Sequence, residues 1–424
     1  MKGREDPTAV ASAAPDAPAE TPAAGERAEL VPRFEEQGYA DEAVVARRRF
    51  VEERTGARLA HVGGAPLPGQ AMRGNVENPI GVAQVPIGVA GPLEIAGEHA
   101  IGRFYVPLAT TEGALVRSYE RGMMAITRAG GAVARVVRDE NRVSPIFRCE
   151  DVGAAVALAR GVSGRLSELR AAAEATTRHG RLLRAEARPI GREVVVELAF
   201  STGDAHGMNM IVKAADAACR LLAAADGVRG YTIFSGAESE KRASGALLLG
   251  GKGKTAIAGV RLRASLVRAY LHASPEAMVE VWRSTALGHL AAGSLGYNGH
   301  LANGLTALFI ACGQDVANVA NAAVGITAFE CTEEGDLYAS VTLPALTVAT
   351  VGGGTGRGTG REGLEMLGCA GSGGARKLAE IAVATALAGE LSMGGALASG
   401  EFVAAHETYG RNRPAGEEPG GGAR

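Results

Sequence analysis

HGRLLRAEARPIGREVVVELAF, residues 179–200, is the most informative segment for the architecture of this chain. Pro-Ile-Gly (189–191) in its middle predicts a chain reversal, because proline restricts φ and glycine tolerates turn conformations. Large apolar residues then recur at every second position, namely Val194, Val196, Leu198 and Phe200. This period of two places them on one face of a strand. The segment therefore predicts a β-hairpin with one buried face.

The flanking segments extend this hairpin into a β-α-β-β-α-β unit. VSPIFRCE (143–150) predicts a short strand, and the alanine-rich run over 151–175 predicts one helix. After the hairpin, apolar residues recur at helical spacing: Met208, Ile211, Val212, Ala215, Ala218, Cys219 and Leu222. GVRGYTIFSG (227–236) predicts the last strand. This order is that of a split βαβ, ferredoxin-like unit, so we predict a small ferredoxin-like domain over residues 143–235.

The small domain is predicted to be inserted into a larger one. The larger domain comprises residues 31–142 and 236–412, with a charged helix within 31–60, and mixes helices and sheet. The whole chain is thus predicted to be of the α+β class. Residues 1–30 are rich in Ala, Pro and Glu, and residues 413–424 are rich in Gly. Both tails have too few apolar side chains to offset the entropy of ordering and are predicted to be disordered.

Composition limits the kinds of partner. The formal net charge is −2, so the whole chain has no electrostatic attraction to nucleic acid or to an anionic membrane. We see no apolar run of the roughly 18 residues that a membrane span needs. The five cysteines are widely spaced without a CxxC pair, which argues against a disulfide framework or a zinc site. These features predict a cytoplasmic protein without a bound metal.

Glycine is abundant and aromatic residues are scarce. The chain has 60 glycines among 424 residues, but only 8 Tyr, 9 Phe and 1 Trp. A core with so few aromatic rings must pack on Ala, Val and Leu and on close backbone contacts, which glycine permits. A coding bias toward Ala and Gly would produce the same count, so only the positions of the glycines are informative.

Three glycine-rich patterns resemble nucleotide loops to different degrees. GTGREG (358–363) and GGKGKT (250–255) match short motifs that arise by chance in a glycine-rich chain, and we treat both as decoys. GDAHGMNM (203–210) is different, because it joins a predicted strand to a predicted helix. Backbone N–H groups at that helix start could bind a phosphate. The alternative is a plain turn in which Asp204 caps the helix.

Four ionisable residues have unusually apolar or glycine-rich surroundings: Glu112, Lys241, Asp315 and His406. Asp315 follows a long apolar run and is predicted to be partly buried, which requires a cation or several donors nearby. A structural salt bridge for Asp315, solvated charges for Glu112 and Lys241, and a surface histidine for His406 are the alternatives. Local sequence does not bring the four together.

Six segments, taken in chain order, form the most specific pattern in the sequence. They are ENPIGVAQVPIGVAGPL (77–93), PLATTEG (107–113), TGDAHGMNM (202–210), GYNGHLANGLTALFIACGQD (296–315), DLYASVTLPALTVATVGGGTG (336–356) and AGELSMGGALASGEFVAAH (388–406). Together they closely resemble the 3-hydroxy-3-methylglutaryl-CoA (HMG-CoA) reductase family over about residues 45–412. The sequence is similar to soluble bacterial members without a membrane region. It looks more like the NADPH-dependent biosynthetic class than the NAD-using catabolic class.

The resemblance implies a four-electron reduction of an acyl-CoA. One NADPH reduces the thioester to a hemithioacetal, which loses CoA to give an aldehyde, and a second NADPH reduces the aldehyde to mevalonate. The implied catalytic residues are Glu112, Lys241, Asp315 and His406. The Lys241 ammonium would stabilise the developing oxyanion, and Asp315 would keep that lysine charged. Glu112, if buried, would supply a proton to the oxygen, and His406 would protonate the departing CoA thiolate.

The resemblance also implies binding residues. NADPH would lie on the small domain, at Thr177, Arg178, Asp204, Gly207, Met208 and Asn209, with Val351, Gly352 and Gly353 beside the nicotinamide. Substrate would be bound by Ser235, Arg242 and Asn303, and by Arg142 if the backbone allows it. Family members have this site between subunits, so a homodimer or a larger homo-oligomer is implied.

The sequence departs from the family pattern at several positions. Val143 occupies the position of the arginine that pairs with the substrate carboxylate, so either Arg142 or Arg148 substitutes or the carboxylate is bound differently. Other departures are Glu240 for an aspartate, Ser284 for a substrate lysine and His206 for a methionine. These leave two alternatives: a reductase of the same fold for another acyl-CoA, or a nucleotide-binding scaffold without activity.

Overall fold

The computed structural model describes residues 32, 34, 39–55, 59–60, 63–64 and 67–402. The two predicted tails (1–30 and 413–424) and His406 lie outside the described residues. The chain divides into two compact units, Met1–Val82 and Ala83–Arg424. The predicted boundaries between a large domain and an inserted small one stay predictions.

The first unit contains the charged helix that the sequence predicts. Helix α1 spans Asp41–Thr55. Arg47 on this helix is almost fully buried, and its guanidinium donates to the carbonyl oxygens of Pro32 (3.1 Å) and Pro79 (3.4 Å). A buried guanidinium needs such acceptors, so Arg47 ties the segments on both sides of the helix to it.

The second unit mixes helices with a largely antiparallel sheet, which agrees with the predicted α+β class. Its strands are β1 Ile87–Ala96, β2 Ile101–Ala109, β3 Ala132–Val143, β4 Ile146–Cys149, β5 Arg181–Ile190, β6 Glu193–Ser201, β7 Val228–Thr232, β8 Gly253–Leu262, β9 Ile326–Cys331 and β10 Leu337–Leu346. Its helices are α2 Leu115–Arg128, α3 Val152–Val162, α4 Leu166–Glu174, α5 Met208–Ala223, α6 Ala264–Leu271, α7 Pro275–Ala292, α8 Leu301–Ala311, α9 Val319–Ala322, α10 Gly358–Met366 and α11 Ala375–Ser399.

Strand β3 belongs to both halves of the ten-stranded sheet. Along most of its length it pairs with β8, which continues to β10 and β9, and at Ala132 and Val133 it also pairs with β1 in parallel. Its last three residues, Asn141 to Val143, pair instead with β6. Beyond β6 the strand order is β5 on one side and β4 then β7 on the other, all antiparallel. The chain therefore passes from one half of the sheet to the other within a single strand.

The hairpin over 179–200 forms as predicted, with a shifted turn. β5 and β6 pair from Arg181↔Ser201 to Ile190↔Glu193, and the four alternating apolar side chains of β6 are fully buried. The predicted turn at 189–191 begins two residues too early, because Pro189 and Ile190 remain in β5 and the turn consists of Gly191 and Arg192. Pro189 is tolerated because β5 pairs only with β6, and Gly191 (φ 61°) takes the left-handed turn position.

The single helix predicted over 151–175 is interrupted. α3 ends at Val162, a 3-10 turn covers Ser163–Arg165, and α4 begins at Leu166. Gly161, Ser163 and Gly164 lie around this break, and their low helix propensity accounts for it. The helix predicted from the apolar spacing after residue 207 is confirmed as α5.

Helix α11 is the centre of the main core. It is 25 residues long and buried along most of its length. By length and composition it is the one described helix that could cross a membrane, but 83% of its apolar window is buried inside the protein, which is typical of a core helix. Two buried carboxylates on this helix are satisfied by donors. Glu380 accepts N–H groups from residues 98–100, and Glu390 accepts those of residues 299 and 300 and the Thr327 hydroxyl.

Candidate active site

Lys241 and Asp315 form a close ion pair. The Lys241 ammonium lies 2.7 Å from Asp315 Oδ2, and the two side chains are 45% and 41% exposed. Lys241 belongs to the loop after β7, whereas Asp315 follows α8 and also caps a 3-10 turn by accepting the Ala317 N–H (3.1 Å). The structure thus brings together two of the four predicted catalytic residues. Asp315 is more exposed than its apolar neighbours predict, because the chain reaches the surface directly after the buried Gln314.

Glu112 and Asn303 form a second pair. Glu112 lies in the loop between β2 and α2, and its carboxylate oxygens accept from the Asn303 amide at 2.9 and 3.1 Å. Asn303 lies in the first turn of α8. Both line a cavity of about 390 Å³ with Thr110, Thr306 and Ile310. Glu112 is exposed in the single chain. The expectation that burial of its carboxyl group suits it to donate a proton is therefore wrong for the chain alone.

The two pairs lie toward opposite ends of α8. Asn303 is near its start, Asp315 follows its end, and an 11-residue helix is about 16 Å long. Among the described residues, no hydrogen bond or ion pair joins Glu112 to Lys241 or Asp315. The chain therefore presents an ion pair and a carboxylate–amide pair at two separate places. His406 lies outside the described residues.

Asp204 connects two of the glycine-rich motifs. Its carboxylate accepts the N–H groups of Gly373 (2.7 Å) and Ala375 (3.1 Å) and so caps α11. Its carbonyl oxygen accepts the N–H groups of Thr350 and Val351 at 2.9 and 3.2 Å. The alternative for this motif, in which Asp204 caps the helix that follows it, is therefore wrong: Asp204 caps α11 and not α5. The residue before α5 is Gly207, in the left-handed conformation (φ 73°).

The GQD and VGGGT segments touch through glycine backbones. A Cβ on Gly313 would lie 2.6 Å from the carbonyl oxygen of Gly354, and a Cβ on Gly354 would lie 2.8 Å from that of Gly313. No other residue allows this approach, which explains part of the glycine content. Gly352 and Gly353 have open space around their Cα atoms, and Val351 is 40% exposed. A Cβ built on either glycine would meet nothing within 4 Å, while the Gly352 carbonyl oxygen accepts from the Thr355 hydroxyl at 2.6 Å.

The remaining predicted cofactor residues lie near the start of α5. Thr177 Oγ1 accepts the N–H groups of His179 (3.2 Å) and Gly180 (3.1 Å), and Arg178 is exposed. Cβ positions built on Gly180 and on Gly207 both lie close to Met210 Cε, which brings this turn beside the helix start. Asn209 is exposed, whereas Met208 is partly buried and packs on the small core.

The predicted substrate residues have different surroundings. Ser235 Oγ accepts the Ala237 N–H (3.2 Å), and Arg242 is 63% exposed beside the buried Glu238. Arg142 is buried. Its Nη1 lies 3.3 Å from Glu197 Oε2, and its Nε donates to the carbonyl of Glu238 at 3.4 Å.

Arg142 retains one unused donor. Its Nη2 is buried and has no partner among the described residues. Burial lowers the pKa of this guanidinium, although Glu197 partly counteracts the effect. Val143, one residue later, points into the small core, while Arg148 is exposed on β4. Of the two arginines that could replace the missing one, only Arg142 contacts the loop that carries Lys241.

Glu240 and Lys252 form a buried pair that the sequence did not reveal. Lys252 is fully buried, and its ammonium contacts Glu240 Oε2. His206 Nε2 lies 3.5 Å from Glu240 Oε1. Burial raises the pKa of Glu240, but His206 and Lys252 outweigh it and lower the pKa to about 2. The only sequence signal for Lys252 was the GGKGKT pattern. That pattern resembles a phosphate-binding loop, whereas the structure pairs Lys252 with a carboxylate.

The decoy motifs are structural segments. GTGREG lies in α10, and GGKGKT leads into β8 with Lys254 paired to Asp139 at 3.1 Å. One group of potential metal ligands occurs among the described residues, Glu98, His99 and Glu380. The Glu380 carboxylate already accepts three backbone N–H groups, and the exposed Glu98 carboxylate lies 3.3 Å from the Arg135 guanidinium, so both anionic groups already have partners.

A charged lysine held by a carboxylate, beside glycine-rich loops that meet helix starts, is typical of enzymes that bind a nucleotide and stabilise an oxyanion. Comparison with known proteins specifies this class further. The family model for hydroxymethylglutaryl-coenzyme A reductase matches residues 43–411. The chain therefore belongs to the hydroxymethylglutaryl-CoA reductase family.

Individual relatives agree with this assignment. The chain is 43% identical to 3-hydroxy-3-methylglutaryl-coenzyme A reductase of Methanothermobacter thermautotrophicus over 376 residues, which cover 88% of this chain and 94% of the relative. It is 45% identical to the reductase of Aeropyrum pernix over 386 residues, covering 89% and 91%. Among solved structures it is similar to the class II reductase of Streptococcus pneumoniae bound to NADPH in open conformations, with a TM-score of 0.63, 21% identity and coverage of 76% and 78%. At this identity the likeness concerns the fold.

Proposed function

We propose that this protein catalyses the NADPH-dependent four-electron reduction of HMG-CoA to mevalonate and CoA, which supplies the mevalonate pathway of isoprenoid precursor synthesis. The observation that carries the proposal is the Lys241–Asp315 ion pair, at the two positions that match the family's catalytic motifs. Family membership supports the same conclusion.

Each of the proposed catalytic residues has its own role in the reaction. Lys241 is directed at the substrate carbonyl oxygen and stabilises its negative charge in both reductions, and Asp315 keeps the lysine protonated and oriented. Glu112, held by Asn303, donates the proton to that oxygen. His406 is proposed to protonate the CoA thiolate. NADPH, two molecules per turnover, supplies the hydrides.

The surfaces at the start of α5 fit a dinucleotide. Asn209 and Arg178 are exposed on adjoining segments, and a Cβ built on Gly352 or Gly353, in the loop after β10, would meet nothing within 4 Å. Arg178 suits the 2′-phosphate of NADPH, because a guanidinium forms paired hydrogen bonds to phosphate oxygens. Gly207 allows close approach to the backbone N–H groups of α5. Thr177 and Asp204 hold the adjoining turns by accepting backbone N–H groups, and Met208 packs on the small core.

We also propose that residues 143–235 form an inserted ferredoxin-like cofactor domain. The strand order β7-β4-β6-β5 and the placement of helices between the first two and last two strands support it. A separate cluster of buried apolar residues, from Val143 to Leu222, gives this segment its own core.

The free carboxylate of the substrate is assigned to Arg142. Its unpartnered Nη2 can donate to a carboxylate oxygen in a low-dielectric setting, where such a bond is strong. Ser235, Arg242 and Asn303 complete the proposed substrate contacts. The alternative, a different acyl-CoA without the carboxylate, follows if the Glu197 ion pair occupies Arg142 fully.

A homodimer or larger homo-oligomer, with the site between subunits, is proposed from the separation along α8 of the Lys241–Asp315 and Glu112–Asn303 pairs. In one chain Glu112 does not contact Lys241, so a partner subunit would have to bring them together. Leu287 and Leu290 on α7 are 59% and 65% exposed, and such apolar side chains are typical of subunit contacts. A cytoplasmic location without nucleic-acid or membrane partners agrees with the net charge of −2 and five unpaired cysteines.

The test is NADPH oxidation by purified protein with HMG-CoA, repeated with NADH and with 3-hydroxy-3-methylbutyryl-CoA, which lacks the free carboxylate. We expect turnover with HMG-CoA and NADPH at micromolar substrate, and release of mevalonate. Arg142→Met should raise KM for HMG-CoA about 100-fold, whereas Arg148→Met, which removes an exposed arginine on β4, should leave it unchanged. Turnover of the carboxylate-free thioester alone would refute the proposed substrate.

A further inference from the structure

The loop that carries Lys241 is connected to the proposed cofactor loop by a single side-chain bridge. Glu240 directly precedes Lys241, and its Oε1 lies 3.5 Å from His206 Nε2 in the loop that leads into α5. Both side chains are largely buried, at 22% and 16% exposed. Within the described residues this is the one histidine–carboxylate contact that joins the two loops. At 3.5 Å it is longer than an ordinary hydrogen bond, and the buried His206 Nε2 has no hydrogen-bond partner among these residues.

Lys252 holds the other oxygen of the Glu240 carboxylate. Its fully buried ammonium pairs with the other Glu240 oxygen and lies 3.4 Å from Met208 Sδ. A buried ammonium without a counter-charge is very costly, so Glu240 must stay ionised and must keep one oxygen on Lys252. Oε1 is then the oxygen that faces His206. Arg142 and Glu238 are the next charged groups around Lys252.

His206 is itself anchored on the side of the cofactor loop. Its carbonyl oxygen accepts from the Asn141 side-chain amide at 3.0 Å, and Asn141 also caps the backbone of Arg142 (2.9 Å). Asn141 belongs to β3, where the strand passes between the two halves of the sheet. The path from β3 to Lys241 therefore runs through half-buried His206 and Glu240, with the 3.5 Å contact between these two side chains as its weakest step, and ends at the exposed Lys241.

We propose that His206 is a positioning residue: by donating to Glu240 it fixes the backbone of Lys241 relative to the bound nicotinamide cofactor. The inference rests on the proposed reductase activity. Two positions at which the sequence departs from the family pattern, His206 and Glu240, are here in contact with each other. A glutamate is long enough to span Lys252 and His206, which an aspartate, shorter by one methylene, is not.

The expected effect is on the chemical step. Replacing His206 by methionine removes the N–H donor and leaves an apolar side chain of similar size. His206→Met should lower kcat about tenfold, because a hydrogen bond to a charged group is lost, and should change KM for HMG-CoA less than about twofold. The deuterium isotope effect from (4-deuterio)NADPH on kcat should rise, since hydride transfer becomes slower relative to product release.

Rescue separates positioning from a merely structural role. His206→Gln places an amide nitrogen near the position of the imidazole Nε2 and should restore kcat. His206→Asn, whose amide is too short to reach Glu240, should not. The thermal midpoints of the three variants should agree with that of the wild-type protein within a few degrees. Equal kcat in all variants, or equal loss in the Gln and Met variants, would overturn the proposal.

A second measurement examines the pair itself. Glu240→Asp alone should lower kcat, because the shorter carboxylate must abandon either Lys252 or His206. The double variant His206→Met/Glu240→Asp should lose less than the product of the two single losses, since the histidine no longer needs a partner. Multiplicative losses would show that the residues act independently. Wild-type protein that does not turn over HMG-CoA would instead count against the proposed function, so the two failures are distinguishable.

Discussion

Lys241 has a backbone conformation that few non-glycine residues adopt. Its φ of 54° lies in the left-handed region, and Ser239 two residues earlier has φ of 56°. Such conformations cost on the order of 1–3 kcal/mol and persist when the surroundings hold them. Here Asp315 binds the ammonium, and the preceding residue, Glu240, is held by its contact with Lys252. The strain and its two restraints together direct one charged group to one place.

Removal of this ammonium should abolish catalysis without affecting cofactor affinity. Lys241→Met keeps most of the side-chain length but removes the charge. We expect kcat to fall about 10³-fold, because a fixed donor to a developing oxyanion is lost. The dissociation constant of NADPH, measured by the change in its fluorescence, should remain within about twofold of wild type, since Lys241 is directed at the substrate.

Lys213→Met is the matched control, because Lys213 is exposed on α5 away from the lysine-bearing loop. Its kcat should equal that of the wild-type protein. Retention of more than about a tenth of kcat by Lys241→Met would mean that another group stabilises the oxyanion.

Close helix packing explains much of the glycine content at the level of elements. α2 and α11 approach each other so closely at Gly122 that a Cβ there would collide with the carbonyl oxygen of Ala388. Gly304 on α8 and Gly389 on α11 similarly make room for the ring of Tyr119, which is fully buried. A core with few aromatic rings thus obtains its density from short distances between backbones.

Gly122→Ala should destabilise the protein strongly. The added methyl group must push α2 away from α11, because the atom it meets belongs to the backbone and cannot rotate aside. Overpacking of this kind costs about 1–3 kcal/mol or more in the free energy of unfolding. Urea denaturation followed by circular dichroism measures the loss.

Gly161→Ala provides the control with the same chemical change. Gly161 lies in α3, and a Cβ there meets nothing within 4 Å. Alanine should be neutral or stabilise by up to about 1 kcal/mol, because it has the higher helix propensity. If the two variants unfold at the same urea concentration, the close packing at Gly122 is not a determinant of stability.

At the level of the whole molecule, α8 separates the proposed proton donor from the proposed oxyanion stabiliser. Glu112 contacts the start of this helix through Asn303, and Asp315 with Lys241 lies beyond its end. A subunit alone would then hold two half-sites. Association of subunits would be required for activity and not only for stability.

Mixing two inactive variants tests this shared site. Glu112→Gln and Lys241→Met should each be inactive alone. If the subunits exchange and one site uses Glu112 of one protomer and Lys241 of its partner, an equimolar mixture should recover about a quarter of the wild-type activity. Sedimentation analysis of the mixture establishes the oligomeric state in the same sample.

The control is a mixture of Glu112→Gln with a Glu112→Gln/Lys241→Met double variant, in which no intact site can form. No recovery in the first mixture, after subunit exchange has been verified with a tagged chain, would place the complete site within one chain. Activity in a dilute sample that sediments as a monomer would lead to the same conclusion.

Different parts of the fold and site were predictable to different extents. The hairpin over 179–200 and helix α5 follow from local periodicity, because one face of each must be buried. The break between α3 and α4 and the exact turn residues did not follow, since weak propensities compete there with packing. Glu112 is exposed although its neighbours in sequence are apolar, because burial depends on contacts that a local sequence does not specify.

The sequence by itself determined the α+β class, the order of strands and helices in the 143–235 segment, and the motif pattern that family membership supports. These properties are local, or are carried by collinear motifs, so no knowledge of distance is needed. Only the tertiary structure decided that Lys241 meets Asp315, that Asp204 caps α11, and that Glu240 is shared by Lys252 and His206. Those contacts join residues far apart in the chain, and their positions depend on how the sheet and the core helices pack.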